Sequence, residues 1–386
     1  MNILERIDPA KLGERLRIAR STAGLTQEDA ARGLSVARTT VIAIEQGQRR
    51  VRPEELRTFA NIYSINVNDL LRETAVHVDL AAKFRRAAGD AQLGQAPEEA
   101  VRTLNRLAST MVELEASLGQ RLEFHYPPEK PILPGSLEEQ AEDLALDLRH
   151  RLGLGLAPIA DILSLAELEL GIRVFVRPLH SSISGLFAYD PAVGPCMMIN
   201  AKHPPERQAL TAAHEIGHFL TTRSAPDVVE QAANDNSRQE KFVTQFALSF
   251  LMPAASVRRR FRDLTTGSGK FSPRHLIFMA HAFKVAVEAM CRRLEGLRLL
   301  PEGTFDSLKD RGFTIEAAKK AIGEIDPLER SKSPPRLMLL ATDAFQKGLL
   351  TEGQLCEMLA MDRIELREHL DMFGDSNLDD AITLQT

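Results

Sequence analysis

The chain has 386 residues, 44% of them hydrophobic and 26% charged, with a formal net charge of −5. That length exceeds one ordinary domain, and the composition is that of a soluble globular protein, which excludes a disordered tail, a collagen-like fibre and a disulfide scaffold. No apolar run approaches the roughly 20 residues needed to span a bilayer, Met1–Ala10 carries no signal-peptide pattern, and Cys196, Cys291 and Cys356 form neither a disulfide framework nor a CxxC pair, so a cytoplasmic protein without membrane contact is expected.

Residues 1–72 hold 12 Lys/Arg against 9 Asp/Glu, while the remaining 314 hold 36 against 44. A basic head on an acidic body suits a nucleic-acid contact confined to the N-terminus. Leu12, Leu16 and Ala19 set a helical stripe ended by Gly24. Thr26 is an N-cap with Asp29 three residues on, a shortened capping box. A turn at Gly33–Ser35 leads into a helix over Ala37–Gln46, stopped by Gly47, and Pro53 opens a fourth helix. Leu80–Leu122 reads as a connecting helix, and the four prolines within Tyr126–Gly135 read as a linker. Leu137–Leu152 is helical. Gly171–Arg177, Ser184–Asp190 and Pro195–Asn200 read as short strands, with a turn at Asp190–Gly194. Helices resume at Arg207, Ser331–Pro335 is a second linker, and Leu337–Leu370 is helical. Gly348–Asp362 repeats a helix-turn-helix cadence, but Asp362, Glu365, Glu368 and Asp371 leave it without a basic face, which favours oligomerisation or partner binding.

The string His214-Glu215-Ile216-Gly217-His218 is an HExxH motif. On a helix, positions i and i+4 share a face, so both imidazoles can bind one ion while Glu215 lies beside them as general base. Zinc needs a third protein ligand. Glu240 opens the apolar segment through Pro253, where a buried carboxylate without a cation would be costly; Glu230 is the alternative. Ser184–Asp190 could hold an extended substrate by edge pairing. Tyr189, Arg207, His275 and His281 are the candidates for stabilising an oxyanion.

Two resemblances follow from these residues. Ile183-Ser-Gly-Leu186, Ile199-Asn200, Arg207, Thr211, the HEIGH string and Glu240 with Phe246, Ala247 and Leu251-Met-Pro253, followed by Val285, Met290 and Arg293-Leu294, resemble the ImmA/IrrE family of metallopeptidases over about residues 140–300. Val243 and Thr244 stand where that family usually has Ala-Asn. The resemblance implies a zincin fold, Zn2+ (with Mn2+ as a substitute) held by His214, His218 and Glu240, Glu215 as base, and cleavage of a regulatory protein, often a helix-turn-helix repressor.

The second resemblance is carried by Leu12-Gly-Glu-Arg-Leu-Arg17, Leu25-Thr-Gln-Glu28, Arg38-Thr-Thr-Val41 and Ile44-Glu-Gln-Gly47, which resemble the XRE (Cro/C1-type) DNA-binding family over residues 10–72. Ser35 stands where that family favours Gly, and Ala37 where it often has Ser. The resemblance implies that Arg38, Thr39, Thr40 and Ile42 face bases of a double-stranded DNA operator, that Gln27, Gln48 and Arg49 meet phosphates, and that the protein is a homodimer.

The expected chain is therefore α+β and mostly helical. An all-α helix-turn-helix domain spans residues 1–75, and a helical connector with the Pro-rich linker spans 76–135. A zincin-like metallopeptidase domain with a small antiparallel sheet covers 136–300, and a helical region covers 301–386. The expected function is a DNA-binding transcriptional regulator carrying a zinc endopeptidase. A regulator whose peptidase-like domain is a non-proteolytic sensor or docking module, and an antitoxin or phage-type regulator, remain as alternatives.

Overall fold

The structure, a computed structural model, describes residues 8–63, 67–71, 80, 83–84, 94–121, 124–191, 193–230, 237–266, 270–313 and 334–373. The expected linker Ser331–Pro335 lies largely outside these residues, as do 81–82, 85–93 and 122 of the expected Leu80–Leu122 helix. The chain divides into two compact units, one of Met1–Leu93, Val101–Arg121 and Arg336–Thr386, the other of Gly94–Ala100 and Leu122–Pro335. Among the described residues, no helix is long and apolar enough to cross a membrane.

The first unit begins with α1 (Pro9–Thr22), α2 (Gln27–Leu34), α3 (Arg38–Glu45), α4 (Pro53–Tyr63) and the short α5 (Val67–Leu71). Leu16, Ala30, Ala31, Val41, Ile44, Leu56, Phe59 and Tyr63 form their core. The small Ala30 and Ala31 let α2 lie close against α3. At the start of α2, the Thr26 hydroxyl accepts from the Asp29 N–H at 3.2 Å and the Thr26 N–H donates to Asp29 Oδ2 at 3.0 Å, so two orphan donors are satisfied reciprocally. Ser35 turns the chain in the left-handed region, at φ 56°, and the Val36 N–H bonds the Ala31 carbonyl at 3.0 Å. Ala37 caps α3 without a side-chain hydrogen bond. Beneath the turn, the buried Glu45 carboxylate accepts from Arg20 Nε at 2.6 Å and from Gln27 Nε2 at 2.9 Å, joining α1, α2 and α3.

The same unit contains the C-terminal part of α6 (Gln95–Leu118) and three helices from the end of the chain, here α15 (Arg336–Gln346), α16 (Glu352–Leu359) and α17 (Arg363–Phe373). Arg336 donates to the buried Glu115 at 2.9 Å, and Thr110 Oγ1 to the Met358 carbonyl at 3.0 Å. The helix-turn-helix cadence is present as geometry. Thr351 and Gln354 form a capping box, Ala360 sits at φ 53°, and the Met361 N–H bonds the Cys356 carbonyl at 3.1 Å.

The second unit holds α7 (Leu137–Arg151), α8 (Ile162–Leu168), β1 (Arg173–Arg177), β2 (Ile183–Asp190), β3 (Gly194–Asn200), α9 (Pro205–Thr221), β4 (Asp227–Glu230), α10 (Arg238–Leu251), α11 (Ala254–Thr265), α12 (Pro273–Ala282), α13 (Val287–Gly296) and α14 (Thr304–Asp310). The sheet order is β1-β3-β2-β4. The small sheet is mixed rather than wholly antiparallel, because β3 inserts between β1 and β2 and so runs parallel to β1. A fourth strand, absent from the sequence reading, pairs antiparallel with the outer edge of β2. Every residue of β3 is buried, as a strand covered on both faces requires.

One continuous core joins Val174, Phe187 and Ile199 of the sheet to Ile216 and Phe219 of α9 and Phe242, Phe246 and Phe250 of α10. The Pro-rich stretch packs on this unit. The Tyr126 ring meets Phe219 edge-on at 5.6 Å, and the Lys130 N–H donates to the Leu220 carbonyl at 2.8 Å.

The turn between α2 and α3 carries a testable cost. Ser35→Gly relieves a left-handed non-glycine residue and is expected to stabilise the first unit by about 0.5–1 kcal/mol after the entropy of the unfolded glycine is deducted. Ala37→Ser supplies the missing cap and is expected to add about 1 kcal/mol. Urea midpoints of the two variants measure both; a lower midpoint for Ser35→Gly contradicts the strain argument.

Candidate metal centre and nucleic-acid face

Helix α9 starts with a proline in its first turn, where a missing N–H is harmless, and buries Ala212, Ala213, Ile216, Phe219 and Leu220 against the sheet and α10. The apolar periodicity leaves His214 and His218 on a common side. Their Nε2 atoms stand 3.2 Å apart. Helix α10 follows, with Ser237 accepting from the Glu240 N–H at 3.1 Å. In this first turn the Glu240 carboxylate spans the histidine pair, Oε2 lying 3.3 Å from His214 Nε2 and Oε1 3.3 Å from His218 Nε2.

The close approach of the two helices depends on Gly217. A Cβ there would lie 3.0 Å from Val243 Cβ and 3.1 Å from Phe246 Cδ1, so only glycine lets α10 bring Glu240 to the histidines without a shift.

A second acid reaches the same point. Asp227, at the start of β4, places Oδ2 3.6 Å from His218 Nε2, and one ligand atom each from His214, His218 and Asp227 lie within 4.8 Å of one another. The two sets share the histidine pair; Glu240 is the nearer acid, touching both rings. Asp227 is not among the ligands expected from the sequence, where its one signal is an acid opening the strand-prone Asp-Val-Val-Glu. The expected alternative, Glu230, ends the same strand with its side chain outside the described residues.

All of these atoms are lone-pair donors. Two carboxylates and two facing imidazole nitrogens make a set that a divalent cation satisfies and that no hydrogen bond among unprotonated members can. Ligand atoms around one tetrahedral zinc stand about 3.4 Å apart, close to the separations here, so the residues fit zinc. Thr222 Oγ1 and Gln239 Nε2 each lie 3.3 Å from His218 Nδ1, and Gln239 Nε2 donates to Thr222 Oγ1 at 2.8 Å, so a polar pair holds the ring from behind.

Glu215 is fully buried, and neither carboxylate oxygen has a hydrogen-bond partner among the described residues. It faces β2 where that strand has no side chain: a Cβ on Gly185 would come within 2.7 Å of Thr211 Cγ2 and 3.3 Å of Glu215 Oε1. Burial, then the charges of Asp227 and Glu240, push the Glu215 carboxyl well above the usual carboxylate range. Burial and the neighbouring His214 lower His218 to about 4, against the pull of Glu240. Burial would raise Glu240, but the hydrogen bond with His214 and the charges of both imidazoles outweigh it and hold the carboxyl below its ordinary value.

Of the candidates for an oxyanion donor, Tyr189 lies half-buried on β2, and Arg207 on α9 donates to Ser184 Oγ at 3.1 Å. His275 closes the capping box of α12, and His281 is exposed at that helix's last turn.

On the helix-turn-helix, Arg38 and Thr39 are exposed at the start of α3, Thr40 and Ile42 are half-buried, and Gln48 is exposed beyond its end. Two residues assigned to phosphates are engaged within the unit. Gln27 is held by Glu45 and lies 3.5 Å from Arg38 Nη2, and Arg49 makes a two-pronged bond to Glu55 at 2.8 and 3.1 Å.

Two expectations follow. Gly217→Ala is expected to destabilise the second unit by about 1–3 kcal/mol through overpacking and to weaken zinc binding; isothermal titration with zinc checks it, and unchanged affinity contradicts the helix-spacing argument. In chelator-treated protein, the neutral His218 contributes stability that is complete above its ordinary value of 6.5 and lost as pH falls toward about 4. Melting temperature should therefore drop across that window more steeply in the parent than in His218→Gln.

Residues 167–295 match the family model described as the IrrE N-terminal-like domain, and residues 11–73 match a helix-turn-helix domain model. No curated protein matches the chain. The crystal structure of ComR from Streptococcus suis aligns over 97% of each chain at 10% identity with a TM-score of 0.16, too slight a likeness to bear on the fold. From its N- to its C-terminus the chain thus carries an XRE-like helix-turn-helix domain and then an IrrE/ImmA-like domain.

Proposed function

We propose that the protein is a cytoplasmic, dimeric DNA-binding regulator whose IrrE/ImmA-like domain is a zinc endopeptidase acting on a regulatory protein, itself a helix-turn-helix repressor. In this reading residues 1–75 bind the operator, 76–135 connect, 136–300 cleave, and 301–386 serve oligomerisation or partner binding. The observation that carries it is the approach of His214, His218 and Glu240 to within 3.2–3.3 Å beside the buried, unpartnered carboxylate of Glu215. A structural zinc site would have no use for a second, non-ligating acid kept dry at such expense.

His214, His218 and Glu240 would hold the ion, zinc or manganese in its place. When bound, the ion supplies Lewis acidity to a carbonyl oxygen and to water. Glu215 does the proton work. Its carboxylate, packed against the bare backbone of Gly185, accepts a proton at an Oε atom from the attacking water and returns it to the leaving amine. A cation held by His214, His218 and Glu240 would offset the charges of Asp227 and Glu240 that push the Glu215 carboxyl up, and so would favour its ionised form. On the other unit, the exposed Arg38 and Thr39 at the start of α3 are the best placed to meet base edges, with Thr40 and Ile42 behind them and Gln48 on the backbone; Gln27 and Arg49 would have to exchange Glu45 and Glu55 for phosphates.

The test is cleavage of a repressor encoded beside the gene, with zinc or manganese added. The parent cuts it. Glu215→Gln retains about one metal per chain and loses cleavage by roughly 10²-fold or more. Equal cutting by Glu215→Gln, or no metal in either protein, overturns the reading.

A further inference from the structure

We infer that β4 is an internal occupant of the substrate edge of β2, and that Asp227 fills, as a displaceable ligand, the position that a catalytic zinc leaves open. The inference rests on the metal-centre reading above.

The sheet supplies the first half of the argument. An extended peptide binds a sheet by pairing with an unoccupied edge. In this unit β2 has β3 on one side and β4 on the other, with Asp227 opposite Phe187, Val228 opposite Leu186 and Val229 opposite Gly185. Gly185 is the residue against which the Glu215 carboxylate packs. The chain at β4 therefore runs along the part of β2 that a scissile peptide must follow if Glu215 is to reach it. Ser184–Asp190 is the strand on which the sequence places an extended substrate, and the protein's own β4 covers its outer edge.

The centre supplies the second half. Catalytic zinc keeps three protein ligands and one open position, whereas four protein ligands close the site. His214, His218 and Glu240 are the three, and Asp227 Oδ2, 3.6 Å from His218 Nε2, is a fourth donor brought in by β4. One short strand thus blocks two things at once, the backbone edge and the fourth position.

The occlusion is weakly held. β4 has four residues, its pairing with β2 is irregular between Ile183 and Gly185, and Asp227 to Val229 are only half-buried. An edge strand of that length adds few ladder hydrogen bonds to the sheet it joins. The occupant that displaces it is an extended, strand-forming peptide segment longer than four residues, antiparallel to β2, with apolar side chains where Val228 and Val229 now lie. Its departure from the edge removes Asp227 from the ion and one negative charge from beside Glu215.

The experiment loads the full chain with Co2+ and follows its visible spectrum while acetohydroxamate is added. The parent is expected to bind acetohydroxamate weakly and Asp227→Ala about ten-fold or more tightly, with a spectral change marking the freed position. Asp227→Asn preserves side-chain volume should the alanine variant fail to fold, and Val229→Pro, which keeps the Asp227 carboxylate but breaks the β4–β2 pairing that carries it to the centre, should shift affinity in the same direction. Equal acetohydroxamate affinity in the parent and in folded Asp227 variants overturns the inference while leaving the metal centre standing. Absence of Co2+ binding in the parent removes both.

Discussion

Two imidazole nitrogens stand 3.2 Å apart, and the two oxygens of one carboxylate lie 3.3 Å from them. His218 is 2% exposed, so gathering these polar groups carries a desolvation cost. Backbone approach of the two helices brings them together. Gly217 brings α9 against Val243 and Phe246, and the far end of α10 is anchored by buried guanidinium groups. Arg149 donates to the Phe250 carbonyl and Arg293 to the Met252 carbonyl at 2.9 Å. Cations at that end complement the negative pole of α10, while Glu240 sits at its positive pole. The helix is fixed at both termini by charge, and its register decides where the Glu240 carboxylate falls.

The same economy explains Glu215. Its carboxylate finds neither hydrogen bonds nor a cation of its own among the described residues, and it lies near two other acids. Such a group is destabilising in a metal-free fold, and a cation between the acids would offset much of that cost. Stability and chemistry would then be coupled through one ion, tying folding free energy to metal supply.

Much of this was legible in the sequence. The HExxH spacing gives the histidine face and the neighbouring position of Glu215 directly, because both follow from helical periodicity. Glu240 was reached from the cost of an acid before an apolar run. In the first unit, Thr26, Asp29 and the turn at Ser35 could be read because capping and left-handed turns are local. What escaped was long-range. The insertion of β3 between β1 and β2, the pairing of β4 with β2, and the reach of Asp227 to His218 depend on contacts between segments that no local pattern encodes. Likewise Glu55 claims Arg49 and Glu45 claims Gln27, pairings across 6 and 18 residues that turn expected phosphate contacts into internal bonds. The Pro-rich stretch misled for the converse reason: prolines exclude helix but do not exclude packing, and Tyr126 lies against Phe219.

The two helix-turn-helix corners of the first unit separate geometry from function. Each has an eight-residue helix, a Thr cap, a left-handed residue just past the helix end and a second helix three residues later. Their outer faces differ. On α3 the exposed Arg38 and Thr39 stand at the helix start with no acid beside them on that turn. On α17, Arg367 is held by Glu352 at 3.1 Å and Arg363 lies 3.9 Å from the same acid, so one carboxylate draws in both cations. Glu365, Glu368 and Asp371 are left exposed. A phosphate backbone meeting that face would release no counterions and would meet like charge. The corner is thus a folding solution that short capped helices reach twice in this chain, and only the charge laid on the second helix decides whether DNA can use it.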